Sequence, residues 1–299
     1  MTSGSPQRQT WRFVVEPGEA GQRLDQIIPI RTGLSRRCVR EILKVGGIQV
    51  NHRRVRVAGR VPVPGAEIRV ALDESLGELP NFISEVLFED EWIIALNKPQ
   101  GIPTQGTQAS DQHDFLAVVR RHFVGQELYL VHRLDTGTSG VLLMAKTSRT
   151  ASDISEMFQG HEVKKTYVAA VSNPLEQSFI EKPIGRVPKS RPAQYACTGD
   201  LIDVKPAATK FYSLELPSGL AGLDMPSANW ITAEPLTGRT HQIRVHLAHI
   251  GNPVIGDTFY GGQPSTRLWL HACKLELPHP ITKETLMIQA VLNHEGMAV

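Results

Sequence analysis

The chain has 299 residues, 41% of them hydrophobic, and a formal net charge of +2. Its length suits one large domain or two smaller ones, and it contains no run of eighteen apolar residues that could span a membrane. The polar first ten residues lack the apolar core of a signal peptide and the three cysteines lie far apart, so we expect a cytoplasmic protein without a disulfide framework or a cysteine-based zinc site.

Positive charge is concentrated near the start of the chain. Residues 31–60 hold nine Lys or Arg and one acidic residue, whereas the rest of the chain has an excess of acidic residues. Ser35 stands where a helix N-cap belongs, and Gly46 where the helix should end. The predicted elements here are a strand at Trp11–Glu16, a helical turn at Arg23–Ile28, the helix after Ser35, a hairpin of Ile48–Val50 and Val55–Val57, and a strand at Ile68–Val70.

Basic side chains recur along this predicted helix and in the hairpin turn. Residues three or four apart share one side of a helix, so several of these side chains should face solvent together. Such a surface can neutralise the phosphates of an RNA backbone, although a basic helix face can also be merely solvated. The candidate RNA-binding residues are Arg36, Arg37, Arg40, Lys44, Arg53 and Arg54.

The same segment resembles a known RNA-binding domain. The order Arg-Leu-Asp, Ser-Arg, Gly-Gly-Ile-x-Val-Asn and Pro-Gly, spread over Gly21–Leu72, is similar to the small domain first described in ribosomal protein S-four. The acidic stretch Asp73–Ser84, with its Gly and Pro, indicates a linker. We therefore predict a partly disordered lead (1–20), an S-four-like RNA-binding domain (21–75), a linker (76–84) and a larger domain (85–299).

The larger domain contains one polar loop between two apolar strands. The loop, His132–Gly140, follows a predicted strand end at Tyr129–Val131 and leads into the apolar run Val141–Ala145. It holds one carboxylate, Asp135, two residues after Arg133. Polar groups beside core strands are costly unless they are paired or used, yet an Asp in a turn often only caps it. The loop alone leaves both interpretations open.

The remaining elements of this domain alternate between strands and helices. The three histidines of the last predicted helix, His241, His246 and His249, do not share one face, and no cysteine pair or suitably placed Glu accompanies them, so we predict no metal site. His271 and Cys273 are predicted core residues. The predicted strands are Glu85–Phe88, Trp92–Leu96, Lys164–Val171, Asn229–Leu236 and Leu268–Cys273, and the predicted helices are Asp114–Phe123, Arg149–Phe158 and one capped by Thr240 and stopped by Gly251.

Several stretches of the larger domain carry motifs of one enzyme family. They are Asn-Lys-Pro-x-Gly at Asn97–Gly101, His-Arg-Leu-Asp ending at Asp135, Lys-x-Tyr-x-Ala-x-Val around Tyr167, Gly-Arg-Thr-His-Gln-Ile-Arg-Val-His around Arg244, and Gly-Asn-Pro-Val-Ile-Gly-Asp after it. This series resembles the RluA-type family of RNA pseudouridine synthases. The residues after Gly101, which include Gln105 and Gly106, depart from the family's commoner Val-His-Pro-Gly.

The resemblance implies a fold and an activity. The fold would be α+β: a small N-terminal αβ RNA-binding domain followed by a domain built on a mixed, mainly antiparallel sheet with flanking helices. The activity would be the isomerisation of uridine to pseudouridine in structured RNA, without any cofactor, by a protein that we expect to be monomeric. Ribosomal RNA of the large subunit is the favoured partner because the basic module suits a large structured substrate, and transfer RNA is the alternative.

The resemblance also implies roles for particular residues. Asp135 would be the nucleophile, Tyr167 would lie against the target base as a candidate proton acceptor, and Arg244 would pair with Asp135. Whether Asp135 attacks the ribose or the base stays open. Arg133 and Leu134 would keep the uridine out of its stack. Further predicted substrate contacts are His132, Lys98 and Arg239, together with Lys164 and Lys165, and each lysine, like Arg239, could equally be a surface charge.

Two other functions remain open from the sequence. The basic segment also suits a non-catalytic RNA-binding or ribosome-assembly protein. A glycosidase-like hydrolase would require a second carboxylate near the first, and the loop around Asp135 offers only one.

Overall fold

The computed structural model describes residues 8–73, 77–190, 192–214 and 228–292. The chain forms two compact units: the first contains Met1–Phe82 and Pro103–Val124, and the second contains Ile83–Ile102 and Gly125–Val299. Residues 103–124, which we expected in the larger domain, therefore cluster with the N-terminal segment. The predicted boundaries at 20, 75 and 84 stay predictions.

The first unit is built on a four-stranded antiparallel sheet. Its elements are β1 (Arg8–Val14), α1 (Leu24–Thr32), α2 (Arg36–Val45), β2 (Ile48–Val50), β3 (Arg53–Arg54), β4 (Glu67–Asp73) and α3 (Phe115–His122). The strand order is β1-β4-β2-β3. Aliphatic side chains of α1 and α2 pack with those of β2 and β4 into one core, and each fully buried one contributes about 1.5–3 kcal/mol. The central members of this core are Leu24, Ile27, Ile28, Val39, Leu43, Ile48, Ile68 and Val70.

The helix α2 has the predicted ends. The Ser35 hydroxyl accepts a hydrogen bond from the backbone N–H of Cys38 at 3.2 Å, which satisfies one of the free donors at the helix start. Gly46 ends the helix in the left-handed region, with φ of 83°. The capping residues in the sequence therefore predicted both ends of α2 correctly.

The hairpin after α2 turns earlier than predicted. Asn51 and His52 both have positive φ, 48° and 64°, and form a two-residue turn that places Arg53 opposite Val50. The return strand is therefore Arg53–Arg54, and the prediction that Val55–Val57 forms it is wrong. Asn accepts the left-handed region more readily than most residues, so the tight turn needs no glycine.

Residues 103–124 are fastened within the first unit by polar contacts. The Asp114 side chain caps α3 by accepting the N–H of Ala117 at 3.0 Å. The carboxylate of Asp111 forms ion pairs with Arg56 and, at 3.6 Å, with Arg54. The first unit therefore consists of two stretches of chain held together by charge as well as by packing.

The second unit contains a mixed sheet to which ten of the described strands belong. Its elements are β5 (Val86–Glu89), β6 (Ile93–Lys98), β7 (Tyr129–Leu130), β8 (Ser139–Ala145), α4 (Ser148–Gln159), β9 (Lys164–Val171), β10 (Phe179–Glu181), β11 (Ile184–Arg186), β12 (Tyr195–Ala196), β13 (Ile202–Lys205), β14 (Ala208–Ser213), β15 (Asn229–Pro235), α5 (Gln242–His249), β16 (Leu270–Pro278) and β17 (Thr285–Gln289). The large sheet has the order β10-β14-β15-β9-β16-β8-β6-β5, with β17 beside β16 and β7 beside β8, while β11, β12 and β13 form a small separate sheet. Among its pairs only β16–β8 is parallel, which confirms the predicted mixed, mainly antiparallel sheet.

The strand β8 lies inside this sheet, between β16 and β6, and all seven of its residues are buried. Gly140 has a φ of +113°, and a Cβ added there would lie 2.2 Å from the carbonyl oxygen of Ala272 on β16. Only glycine permits that approach, because the obstacle is backbone. The close contact brings the beginning of β8, and the polar loop before it, against the beginning of β16.

The helix α5 packs its apolar side on the same sheet. Ile243 and Leu247 are buried in a core with Ala169 of β9, Phe211 of β14 and Ile231 of β15. This face keeps the first turn of α5, which carries Arg244, beside the sheet. In the part of the chain that the structure describes, no helix is long and apolar enough to cross a membrane.

The helix α5 begins one residue later than predicted. His241, with φ of 56° and ψ of 21°, is its N-cap and makes no side-chain capping bond, so the prediction of Thr240 as the N-cap is wrong. The turn before the helix is held instead by the Gln242 side chain, whose Oε1 accepts from the Thr237 hydroxyl and the Arg239 N–H at 2.6 and 3.0 Å.

Candidate active site

The Asp135 loop connects β7 to β8 and is fixed by backbone hydrogen bonds. The Thr138 N–H donates to the Asp135 carbonyl at 3.1 Å, and the Gly101 N–H donates to the Thr136 carbonyl at 2.7 Å. The Asp135 side chain is 28% exposed, and its carboxylate turns toward α5 rather than capping its own turn. A partly exposed carboxylate on a rigid loop is available to a ligand.

Lys98 lies beneath this loop and is fully buried. Its ammonium donates to three backbone carbonyls: Pro99 at 2.9 Å, Thr138 at 3.0 Å and Asp135 at 3.4 Å. Burial lowers the pKa of Lys98 to about 7, and the charge of Asp135 only partly opposes this shift. Lys98 was predicted either to contact phosphate or to be a surface charge. In the structure it is buried, and its ammonium holds the loop through these three carbonyls.

Arg244 joins two carboxylates. Its Nε and Nη2 donate to the two oxygens of Asp257 at 2.7 and 2.8 Å, and its Nη1 donates to Oδ2 of Asp135 at 3.3 Å. The guanidinium also lies over the ring of Tyr260, 5.0 Å from its centre. Burial is the largest single influence and lowers the pKa of Arg244, but the hydrogen bonds and charge of Asp257, together with the charges of Asp135 and Tyr260, raise it by more, so the net shift is upward. The buried Asp257 thus fixes the plane of the Arg244 guanidinium and directs its third nitrogen, Nη1, at Asp135.

His241 approaches the same carboxylate from the start of α5. Its Nε2 lies 3.8 Å from Oδ2 of Asp135, and its Nδ1 lies 2.8 Å from the Tyr260 hydroxyl. The ring makes edge contacts with Tyr195, Phe259 and Tyr260 at centroid distances of 5.8, 6.1 and 5.6 Å. Burial lowers the pKa of His241, although the charge of Asp135 opposes this shift, and the lowered pKa favours the neutral ring.

Tyr167 lies in β9, where it pairs with Ala233 of β15, and its side chain is half-buried. Burial first, and then the negative charge of Asp135, raise the pKa of Tyr167 above its ordinary value. The phenol is therefore neutral at any physiological pH. A neutral phenol donates a hydrogen bond readily but is a weak proton acceptor.

The other predicted substrate contacts differ in whether their side chains form hydrogen bonds within the protein. His132 accepts the Leu143 N–H on its Nε2 at 2.9 Å, its ring packs against Phe158, and burial lowers its pKa to about 3. The His132 side chain thus accepts a backbone N–H of β8 beyond the point where β7 ends. Arg133 is exposed, Leu134 is buried, and the partly buried Arg239 donates through Nε to the Pro206 carbonyl at 2.9 Å.

The basic residues of the first unit also fall into two groups. Arg36, Arg37 and Arg53 are exposed, and Arg40 and Lys44 are exposed beside Asp25 and Glu41 respectively. Arg54 is half-buried, and its guanidinium donates to the carbonyls of Gly46 and Thr107. Of the six candidate RNA-binding residues, Arg54 is the least available to contact RNA, because its guanidinium donates to carbonyls within the unit.

Several residues of the site were not singled out from the sequence. Asp257 ends the Gly-Asn-Pro-Val-Ile-Gly-Asp stretch, so the motif itself was a signal for it. His241 lies inside the motif around Arg244, but its part in the site depends on Tyr195 and Tyr260, which no local pattern connects to it. Within the described ranges, no group of three or more His, Cys, Asp or Glu is arranged to hold a metal ion.

Comparison with known proteins shows the family of the chain. The family model described as RNA pseudouridylate synthase matches residues 92–249, a range that contains Asp135, Tyr167 and Arg244. The transfer RNA pseudouridine synthase C of Salmonella typhi is 34% identical over an alignment of 236 positions, which covers 72% of this chain and 88% of the relative. The ribosomal large subunit pseudouridine synthase C of Pasteurella multocida is 31% identical over an alignment of 305 positions, which covers 95% of this chain and 90% of the relative.

A solved structure shows the same likeness. Human RNA pseudouridylate synthase domain containing 1 superposes with a TM-score of 0.58 and 26% sequence identity, over 73% of this chain and 86% of that one. The fold and the matched range define an RNA-modifying isomerase. The chain belongs to the RNA pseudouridylate synthase family, and the prediction of a pseudouridine synthase is confirmed.

Proposed function

We propose that this enzyme isomerises specific uridines of structured RNA, with large-subunit ribosomal RNA as the principal substrate and Asp135 as the nucleophile. In the net reaction the bond between ribose C1′ and uracil N1 breaks and a bond between C1′ and C5 forms. The hydrogen of C5 leaves as a proton, and N1 gains one. No atom and no electron is lost overall, so the proposal requires no cofactor.

The observation that carries the proposal is the arrangement of Asp135 and Arg244. A nucleophilic carboxylate must be reachable, correctly oriented and accompanied by positive charge. Asp135 is 28% exposed, while its partner Arg244 is only 11% exposed and is locked by Asp257. A buried, preorganised guanidinium stabilises charge at Asp135 without having to reorganise during the reaction.

Neighbouring residues take supporting roles in the proposal. Tyr167 lies against the uracil, as a hydrogen-bond donor before the chemistry begins, because its neutral phenol is a weak proton acceptor. The exposed Arg133 enters the space that the flipped-out uridine leaves, and Leu134 supports the loop from below. We assign Lys98 and His132 to holding the loop rather than to binding phosphate, since their polar atoms are used by backbone groups.

The choice of RNA rests on the first unit. We propose that residues 21–75 of this unit form the S-four-like RNA-binding domain and that Arg36, Arg37, Arg40, Lys44 and Arg53 contact phosphates. A separate basic module suits a large structured RNA, which favours ribosomal over transfer RNA. The two relatives compared above are named for one substrate each, and the ribosomal enzyme aligns over the greater share of this chain.

A tritium-release assay tests the proposal directly. RNA labelled at uridine C5 with tritium is taken from cells that lack the gene, separated into ribosomal and transfer RNA, and incubated with the enzyme. We expect tritium to leave the large-subunit ribosomal RNA, and mapping of pseudouridine in cells with and without the gene should give the position. Release from transfer RNA alone would contradict the substrate choice.

The same assay distinguishes the two alternative functions. An RNA-binding or assembly protein would bind the labelled RNA without releasing tritium. A hydrolase would release free uracil. Either result, obtained with folded protein and RNA from cells that lack the gene, would contradict the proposed isomerisation.

A further inference from the structure

His241 and Arg244 approach the same oxygen of Asp135. In the described part of the chain, the hydrogen bonds and ion pairs recorded for this carboxylate fall on Oδ2: Arg244 Nη1 at 3.3 Å and His241 Nε2 at 3.8 Å. The carboxylate is thus held from one side. The oxygen that reacts would then be the other one, Oδ1.

The network around His241 favours one tautomer of its ring. The backbone N–H of Tyr195 donates to the Tyr260 hydroxyl oxygen at 3.3 Å, and the same hydroxyl lies 2.8 Å from Nδ1 of His241. Since the oxygen already accepts one hydrogen bond, the arrangement favours donation of its own hydrogen to Nδ1. A neutral imidazole carries one proton, so the proton is then on Nε2. The opposite tautomer would direct a bare nitrogen lone pair at a carboxylate oxygen, which is repulsive.

The conformation of His241 is unusual for a residue that makes no cap. Its φ of 56° lies in the left-handed region, which is uncommon for residues other than glycine, although His is among those that tolerate it. The edges of Tyr195, Phe259 and Tyr260 surround the ring and hold it in this position. A glycine would adopt this backbone at lower cost, but it would lack the imidazole that contacts Asp135 and Tyr260.

We propose that His241 is a positioning residue, which offers its Nε2–H to Oδ2 of Asp135 and, with Arg244, reserves Oδ1 for attack. Tyr260 fixes the tautomer that makes this possible. The distance of 3.8 Å is longer than a hydrogen bond, and it shortens when substrate enters, as catalytic contacts often do. This inference rests on the proposed function, since it assigns a task to a neighbour of the proposed nucleophile.

Two substitutions of the same residue separate positioning from stability. His241→Gly removes the donor and suits the left-handed backbone, whereas His241→Gln keeps an N–H donor of similar reach. We expect His241→Gly to melt cooperatively near the wild-type temperature while its single-turnover rate of tritium release falls about 100-fold, the effect of losing one preorganised donor. KM for the labelled RNA should change little, and His241→Gln should recover about tenfold of the loss.

The control is His249→Gln, a change of the exposed histidine at the end of the same helix, which should leave the rate at the wild-type value. Nitrogen NMR of protein labelled in histidine gives a second readout that needs no RNA. We expect His241 to show a protonated Nε2 and an unprotonated Nδ1, and Tyr260→Phe to weaken that preference.

Three results would overturn the inference while leaving the proposed function intact: a wild-type rate in His241→Gly, a His241→Gln variant no faster than His241→Gly, or a protonated Nδ1 in the wild-type enzyme. Wild-type protein that releases no tritium from any RNA would instead overturn the proposed function. The tautomer measurement would still decide whether His241 offers Nε2–H to Asp135.

Discussion

The bidentate pair of Arg244 with Asp257 offers a quantitative test of the site. In Asp257→Asn, one carboxylate oxygen becomes an NH₂ group that faces an N–H of the guanidinium. The change removes one of two charge-assisted bonds of 2.7 and 2.8 Å and replaces it with two opposed donors, at a side chain only 1% exposed. Breaking a buried pair costs about 3–5 kcal/mol, and since Arg244 keeps Asp135, we expect about 3 kcal/mol.

This loss should appear in both stability and rate. At about 2 °C per kcal/mol for a protein of this size, the Tm should fall by about 6 °C. Because Arg244 is no longer held in its plane, tritium release should slow by about 10–100-fold. A loss of this size is typical when a carboxylate that orients a metal-binding histidine is removed from an enzyme. The control is Asp200→Asn, the same chemical change at an exposed residue. Asp257→Asn with the wild-type Tm and rate would refute the reasoning.

Three further predictions follow from other parts of the chain. Gly140→Ala should lower the free energy of unfolding by more than about 3 kcal/mol because its Cβ meets the Ala272 carbonyl, whereas Gly199→Ala, at a φ of +102° in open space, should cost about 1 kcal/mol in the same denaturant titration. The pKa of Lys98 is lowered to about 7 in the folded state from 10.5, so the unfolded chain binds more protons between these values and the wild type gains up to about 1.4 kcal/mol of stability per pH unit. The free energy of unfolding of the wild type minus that of Lys98→Met should therefore become more positive from pH 7 to 10, and a constant value would contradict the shift. Replacing both Arg36 and Arg37 by Gln should reduce the slope of log affinity for single-stranded RNA against log salt by about 1.4, and an unchanged slope would remove both from the RNA contacts.

Local signals predicted the elements of the fold more accurately than their pairing. Ser35 and Gly46 gave the ends of α2 because capping depends on a few neighbouring residues. The same reasoning placed the start of α5 at Thr240, where Gln242 reaches back to organise the turn and leaves His241 as the cap. The membership of Pro103–Val124 in the first unit could not be predicted, since it depends on contacts such as Arg56 with Asp111, 55 residues apart.

The residues of the candidate site could be predicted where they belong to motifs. The role of a residue could not be predicted where it depends on how the side chain is packed. The motifs brought Asp135, Arg244 and Tyr167 forward, and Asp135 and Arg244 lie 3.3 Å apart although 109 residues separate them in sequence. Lys98 belongs to a motif too, but whether a lysine is exposed or buried depends on how β6 meets the loop, which sequence does not state. Arg54 illustrates the same point for the basic segment, because the carbonyls that bind it lie in distant turns.

The central claim is that Asp135 carries the isomerisation, and one measurement addresses it most directly. Asp135→Asn keeps the shape of the side chain, and both its far-ultraviolet spectrum and its melting should show a folded protein. We predict that this variant, supplied to cells lacking the gene, restores no pseudouridine at any position that the wild-type enzyme modifies. A folded Asp135→Asn enzyme that restores the modification would contradict the account.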